Sequence, residues 1–252
     1  MSQQIVDDLQ TVSGARVFFG HQSVGENIIT GLQELSEQTQ SGGLTISDLE
    51  SYQPEEGKGS FVHTAVGENT KPKTKCVDFE RIIDQELAGK IDFALMKFCY
   101  IDINRDSDVA KLFSDYQETL DGLIARHPDI TFIHTTAPLR HSPGGFGVWI
   151  RETLGQPNNS KLDNQKRNDF NRLLLETYGD ASLVDIARSQ STYANGQRES
   201  FTMAGQEYYG LIGDYTSDGG HLNELGRHHV AQAFAHDLAQ IIRASVSKHK
   251  NN

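Results

Sequence analysis

Cysteine is nearly absent: 252 residues hold two, Cys76 and Cys99. That excludes a disulfide scaffold and a Cys-rich zinc site. The simplest expectation is two reduced thiols with Cys99 in the core, and one disulfide stays open if the protein is exported. Basic residues are also short. Lys and Arg number 23 against 34 Asp and Glu, a net charge of −11. Such a surface repels phosphate backbones, so nucleic acid and anionic membranes are not expected partners. No apolar run approaches the ~20 residues of a membrane span. Met1 to Val12 is polar and acidic, so no secretory leader is expected, although export after loss of a leader stays open. The compartment is not assigned. Only six prolines are present, and no Pro/Gly/Ser linker or internal repeat divides the chain. A single domain over residues 1–252 is the expectation.

What is present alternates. Ala15 to Gly20, Ile91 to Tyr100, Ile130 to Thr135 and Ala181 to Asp185 are short apolar runs that predict buried strands, with Leu44 to Ile46 weaker. Between them lie stripes of helical period at Val24 to Leu35, Val77 to Leu87, Asp108 to Ile124, Lys161 to Tyr178 and Leu222 to Ser247. This order predicts an α/β protein, a three-layer α/β/α sandwich on a mainly parallel sheet of about five strands. Ser47 to Cys76, Ala137 to Asn159 and Arg188 to Gly220 show no period, and loops that long are commonly functional or inserted. In open parallel sheets, ligands sit beyond the carboxyl ends of the strands, so motifs there gain weight.

Two motifs lie at such positions. Gly20-His21-Gln22-Ser23-Val24-Gly25-Glu26-Asn27 spans the turn from the first strand into the first periodic helix. Ser23 would sit at a helix N-terminus, where unpaired N–H groups and the helix dipole favour negative charge; a plain N-cap serine would look the same. The spacing of Gly20 and Gly25 suits a phosphate loop, but Glu26-Asn27 stands where that loop needs Lys and Ser or Thr. No G-x-G-x-x-G follows a strand, so no nucleotide cofactor is expected. The second motif, Ser217-Asp218-Gly219-Gly220-His221-Leu222-Asn223, precedes the last helix. Asp-x-x-His across a Gly-Gly turn lets a carboxylate fold back on its own imidazole and set its tautomer. His21, His63, His134 and His141 are dispersed, with no H-E-x-x-H and no H-x-H, so no metal is expected.

Together, Ser23 and the Asp218-Gly219-Gly220-His221-Leu222-Asn223-x-x-Gly226 block resemble the SGNH (GDSL-like) hydrolase superfamily. Asn168 to Tyr178 followed by Leu183-Val184-Asp185-Ile186 resembles its penultimate helix and strand. The resemblance implies an esterase or carbohydrate deacetylase without a cofactor, in which Ser23 attacks, His221 is the base and Asp218 orients His221. It implies an oxyanion hole from the Ser23 amide and a glycine of the second block, best matched by Gly67 in Val66-Gly67-Glu68-Asn69. Two departures stand out. Gly20 and Ser23 are separated by two residues, where the family has Gly-Asp-Ser. Ile101 occupies the place of the third block's Asn, beside Asp102. Asn69, the Tyr100 hydroxyl and Gln22 are the candidates for that missing donor, with Asn69 preferred. Asp102 is expected to pair with a polar or cationic partner or to contact substrate hydroxyls. His21, Gln22, Tyr100, Asp102 and His134 complete the expected substrate-binding set, and Tyr193, Tyr208, Tyr209 and Tyr215 form either loop packing or an aromatic rim. A small-molecule or carbohydrate ester is the expected substrate, with a non-catalytic glycan-binding protein as the alternative.

Overall fold

A computed structural model of the chain describes residues 2–39, 43–143 and 158–250. Most of the aperiodic stretch from Ala137 to Asn159 lies outside those residues. Six strands form one parallel sheet: β1 (Arg16–His21), β2 (Ile46–Asp48), β3 (Ser60–Ala65), β4 (Phe93–Met96), β5 (Thr131–Thr135) and β6 (Leu183–Val184). Their spatial order is β2-β3-β1-β4-β5-β6. Without the edge strand β2, this is the doubly wound 2-1-3-4-5 arrangement, which reverses direction between β1 and β4. That reversal opens the crevice at the carboxyl ends of β1 and β4, where the first motif lies.

Helices cover both faces. Along β1, Val17 and Phe19 enter one core and Phe18 the other. A strand buried on both sides reads as a continuous apolar run, as R-V-F-F-G-H does. The first core is closed by α1 (Gln3–Ser13), α2 (Ser23–Thr39), α6 (Ile186–Ser191) and α7 (Glu224–Lys250). The second lies under α3 (Pro72–Ile82), α4 (Val109–Arg126) and α5 (Asn159–Tyr178). Asp108 caps α4 and Asn158 caps α5, each accepting the backbone N–H three residues on, which halts the helix toward its N-terminus. Both cysteines are buried and unpaired, and burial pushes the Cys76 thiol up to about 12.

Several elements were not expected from the sequence. α1 stands in the polar start, where it lays Ile5, Leu9 and Val12 on the core and seats the buried Asp8 on Arg243 and His236 of α7. β3 lies inside the stretch from Ser47 to Cys76. A two-stranded hairpin, β7 (Ser200–Met203) and β8 (Gln206–Tyr209), lies inside Arg188 to Gly220. Among the described residues, no helix is long and apolar enough to cross a membrane.

The first core centres on Phe234 of α7, fully buried against Phe19 and Phe61 with ring centroids 5.2 and 6.3 Å away. Phe234→Ala should therefore cost about 3–5 kcal/mol, the range for emptying an aromatic site in a rigid core. A urea unfolding curve with an unchanged midpoint would show that this packing contributes nothing.

Candidate active site

Ser23 is the first residue of α2, and Gln22 takes the capping place before it. The Gln22 carbonyl accepts the Gly25 and Glu26 amides at 2.6 and 3.3 Å. The turn is tight because α2 starts directly on the His21 ring. A Cβ on Gly25 would lie 2.2 Å from the His21 Cβ, so only glycine fits. The Ser23 hydroxyl does not act as a cap. It faces His221, with Oγ 3.0 Å from Nε2.

Residues 216–223 form the opposing loop. The Oδ1 of Asp218 accepts the amides of Gly220 and His221, both at 2.8 Å, and Oδ2 lies 2.5 Å from His221 Nδ1. These hydrogen bonds, the imidazole's first and then the two amides', hold the Asp218 carboxyl well below the usual carboxylate range. Asp218 therefore stays ionised through mildly acidic pH. The ionised carboxylate assigns the proton on the ring to Nδ1 and leaves Nε2 to accept from the Ser23 hydroxyl. Both side chains are about half exposed, open to a small molecule.

Other residues, unnoticed in the sequence, hold this loop. Asn27, one turn beyond Ser23 on α2, accepts the Leu222 amide at 3.0 Å and fixes the two motifs to each other. Asn223 caps α7, its side chain accepting the Gly226 amide at 3.0 Å and donating to the Asp214 carbonyl. Arg140 donates to the carbonyls of Asp218 and Gly219 and stacks over Tyr100, 5.2 Å from its centroid. The i, i+4 spacing from Ser23 to Asn27 was a visible signal; nothing local marks Arg140.

The remaining expected residues divide. Tyr100 stands beside the pair, edge-on to His221 at 5.7 Å, with its hydroxyl raised by burial. Gln22 is close but is no free donor, because Nε2 donates to the Val66 and Gly67 carbonyls, both at 2.9 Å. The Gly67 assignment needs correction: its amide donates to Asp78 of α3 at 3.0 Å, so it is not free to hold an oxyanion. Asn69 is exposed, and its Oδ1 accepts from Lys75 at 3.0 Å, which turns the NH₂ end away from Lys75. Asp102 is buried, bonded to Lys75 at 2.8 Å and to the amides of Thr70 and Cys99, so the pairing with a cation is the outcome found.

Two histidines also differ from expectation. His134 is a core residue of β5, stacked on Tyr178 at 3.6 Å and bonded to Tyr116, and burial pushes it down to about 4. His21 is buried beneath the Ser23 turn rather than facing outward. Burial, then the charges of Lys97 and His63, push it down to about 3. Tyr208 and Tyr215 are buried, while Tyr193 and Tyr209 pack on the first core, so the aromatic rim is loop packing.

No family model and no curated protein matches the chain. Among solved structures it is similar to an acetyl esterase with acetate ion, at 15% identity over 92% of this chain and 99% of the other, with a TM-score of 0.46. It is similar to a protein assigned to the G-D-S-L lipolytic family from Desulfitobacterium hafniense, at 8% identity, 88% and 99% coverage and a TM-score of 0.47. It is also similar to an extracellular lipase from Streptomyces rimosus, at 13% identity, 81% and 96% coverage and a TM-score of 0.38.

The Lys75–Asp102 pair has no exposed side-chain surface, so removing one partner leaves an uncompensated charge inside. Lys75→Met should destabilise the fold by about 3–5 kcal/mol. Adding Asp102→Asn should recover part of that loss, as denaturant midpoints of the single and double variants will show.

Proposed function

We propose that the chain is a serine hydrolase of carboxylic esters, working as one domain over residues 1–252. The observation that carries this reading is the continuous chain of contacts from Ser23 Oγ to His221 Nε2 and from His221 Nδ1 to Asp218. A binding protein gains nothing from a hydroxyl, an imidazole and an ionised carboxylate arranged in that order. A hydrolase needs each of them. In this reading Ser23 Oγ attacks the ester carbonyl while its proton passes to His221 Nε2. The imidazolium, held by Asp218, returns the proton to the departing alcohol. Water then enters by the same route and releases the acid.

The tetrahedral oxyanion needs donors. The Ser23 amide is the first, since N–H groups in the opening turn of a helix have no intrahelical partner. Asn69 is the second in this reading. What supports it is the anchoring of its Oδ1 on Lys75, which leaves the NH₂ group as its donor end. The segment at Val66 and Gly67 also binds the His21–Gln22 turn, through the Val66 amide on the His21 carbonyl and through the Gln22 side chain. The acidic chain and the absence of a long apolar lid segment favour a small acyl group on a polar alcohol, carbohydrate included.

A panel of p-nitrophenyl esters of increasing acyl length tests the reading. Ser23→Ala should abolish turnover with stability unchanged. Asp218→Asn should keep the fold and lower kcat by roughly 10⁴-fold. A Ser23→Ala protein as active as the parent overturns the assignment.

Asn69→Ala separates the donors. Loss of an oxyanion donor should lower kcat by about 100-fold or more with KM nearly unchanged. A kcat within a few-fold of the parent's removes Asn69 from the hole and leaves the Tyr100 hydroxyl as the next candidate.

A further inference from the structure

Beneath the Ser23 turn, two imidazoles meet nitrogen to nitrogen. His21 ends β1 and His63 lies in β3, and His21 Nε2 is 3.0 Å from His63 Nδ1 with the rings stacked 24° from parallel. Both are buried. Two carboxylates reach toward them from the surface. Glu26, in the first turn of α2, places Oε2 4.0 Å from His21 Nε2. Asp48, which ends β2 and pairs in register with His63, places Oδ1 3.9 Å from His63 Nδ1. One ligand atom each from His21, Glu26 and His63 lies within 4.8 Å of the others. Spacing along the chain hides this cluster, because strand register and the opening of α2 bring its members together.

We propose that His21, His63, Glu26 and Asp48 form a binding site for one divalent transition-metal ion of the Zn²⁺ class. Four observations support it. The His21 Nδ1 lies 3.1 Å from the Gln22 carbonyl, so Nδ1–H donates there and Nε2 of the neutral ring presents its lone pair to the cluster. A ligating histidine commonly carries such an outer hydrogen bond, which fixes the ring and its tautomer. The two nitrogens stand close to the separation of about 3.3 Å that tetrahedral coordination with bonds near 2.0–2.1 Å requires. Each carboxylate oxygen stands 3.9–4.0 Å from one imidazole nitrogen, farther than shared coordination needs, and the Glu26 and Asp48 side chains are 60% and 72% exposed, with room to rotate toward an ion. Finally, two imidazoles and two carboxylates neutralise a dication, and imidazole ligands favour zinc and its first-row neighbours over Mg²⁺ or Ca²⁺. Lys97, the residue after β4, opposes a cation, and the two carboxylates outnumber it.

Such an ion would fasten the ends of β1, β2 and β3 to the first turn of α2. Ser23 follows His21 by two residues, so the ion would hold the turn that carries it. The site shares no residue with Ser23, His221 and Asp218, so it stands or falls apart from the ester reading.

Tag-free protein dialysed against EDTA and titrated with ZnCl₂ by calorimetry tests the proposal, with Co²⁺ absorption as a second readout. One ion per chain should bind, and Co²⁺ should show tetrahedral d–d bands. Glu26→Gln with Asp48→Asn changes only exposed positions and should weaken binding by about 10-fold or more. His63→Gln, checked for folding by circular dichroism, should abolish it; if that variant does not fold, the carboxylate variant decides. Absence of stoichiometric binding in the parent overturns the site. So does parent-like affinity in the carboxylate variant, or loss of binding in His221→Ala, which would put the ion on the other histidine.

Discussion

Ser23 and His221 are 198 residues apart in the chain, and the distance between them is set by how closely α2 and α7 pack. The helices approach at Gly31, where a Cβ would stand 2.6 Å from the Cβ of Ala231 and 2.9 Å from the Arg227 carbonyl. Only glycine permits that approach. Around it, Ile28, Leu32, Val230 and Phe234 join one core, and Arg227 of α7 pairs with Glu34 of α2. The Asn27 side chain on the Leu222 amide completes the join at the end nearest the site. A side chain at position 31 would part the helices, and the opening would appear at Ser23 and His221. Packing two turns below the surface thus governs a contact made in solvent.

The parts of the fold legible in the sequence are those whose burial is uniform. β1, β4 and β5 are covered on both faces, so their composition alone marks them, and the amphipathic α2, α4 and α7 announce their buried stripe. β3 fails that test. It reads Ser60-Phe61-Val62-His63-Thr64-Ala65, with Gly57 and Gly59 just before it, and its polar His63 is buried for reasons the local sequence does not carry. The hairpin of β7 and β8 carries little apolar signal because it lies against the polar face of α5, where Asn168 bonds the Tyr209 backbone and Gln165 the Tyr208 hydroxyl. α1 was missed for a different reason: its acidic residues suggested a solvated start, whereas Asp8 is buried and satisfied by Arg243 and His236 from the far end of the chain.

The same division runs through the site. Ser23, His221 and Asp218 were legible because two short motifs hold them, and each motif builds its own turn. Asp218 needs only its neighbours Gly220 and His221 to be locked in place. Which amides stand free was not legible, because a donor's availability depends on who else accepts it. The Gly67 amide looks free along the chain until Asp78, eleven residues on, comes round on α3 to take it. His134 was misplaced for the same reason, whereas Asp102 took one of its two expected places, the pairing with a cation. A titratable residue just after a buried strand points either into the crevice or back under a helix, and the neighbouring element decides which.

That decision also sets the local sign of charge. The chain as a whole carries −11, an excess of carboxylates that repels anions. The interior beneath the crevice is arranged differently. Lys75 and Lys97 are both fully buried there, and Asp102 is the carboxylate bonded to Lys75. Burial pushes Lys97 down to about 8, and its nearest acceptor is the Phe98 carbonyl at 3.4 Å. Lys75 spans from Asp102 to Asn69, so its charge also orients the amide of the β3 loop. Burying cations is costly, and where they are retained they mark a place whose field matters. Two buried lysines and the one carboxylate bonded to Lys75 thus give this interior a make-up unlike that of the acidic chain as a whole. Low dielectric makes buried charges such as these act on one another more strongly than exposed residues do.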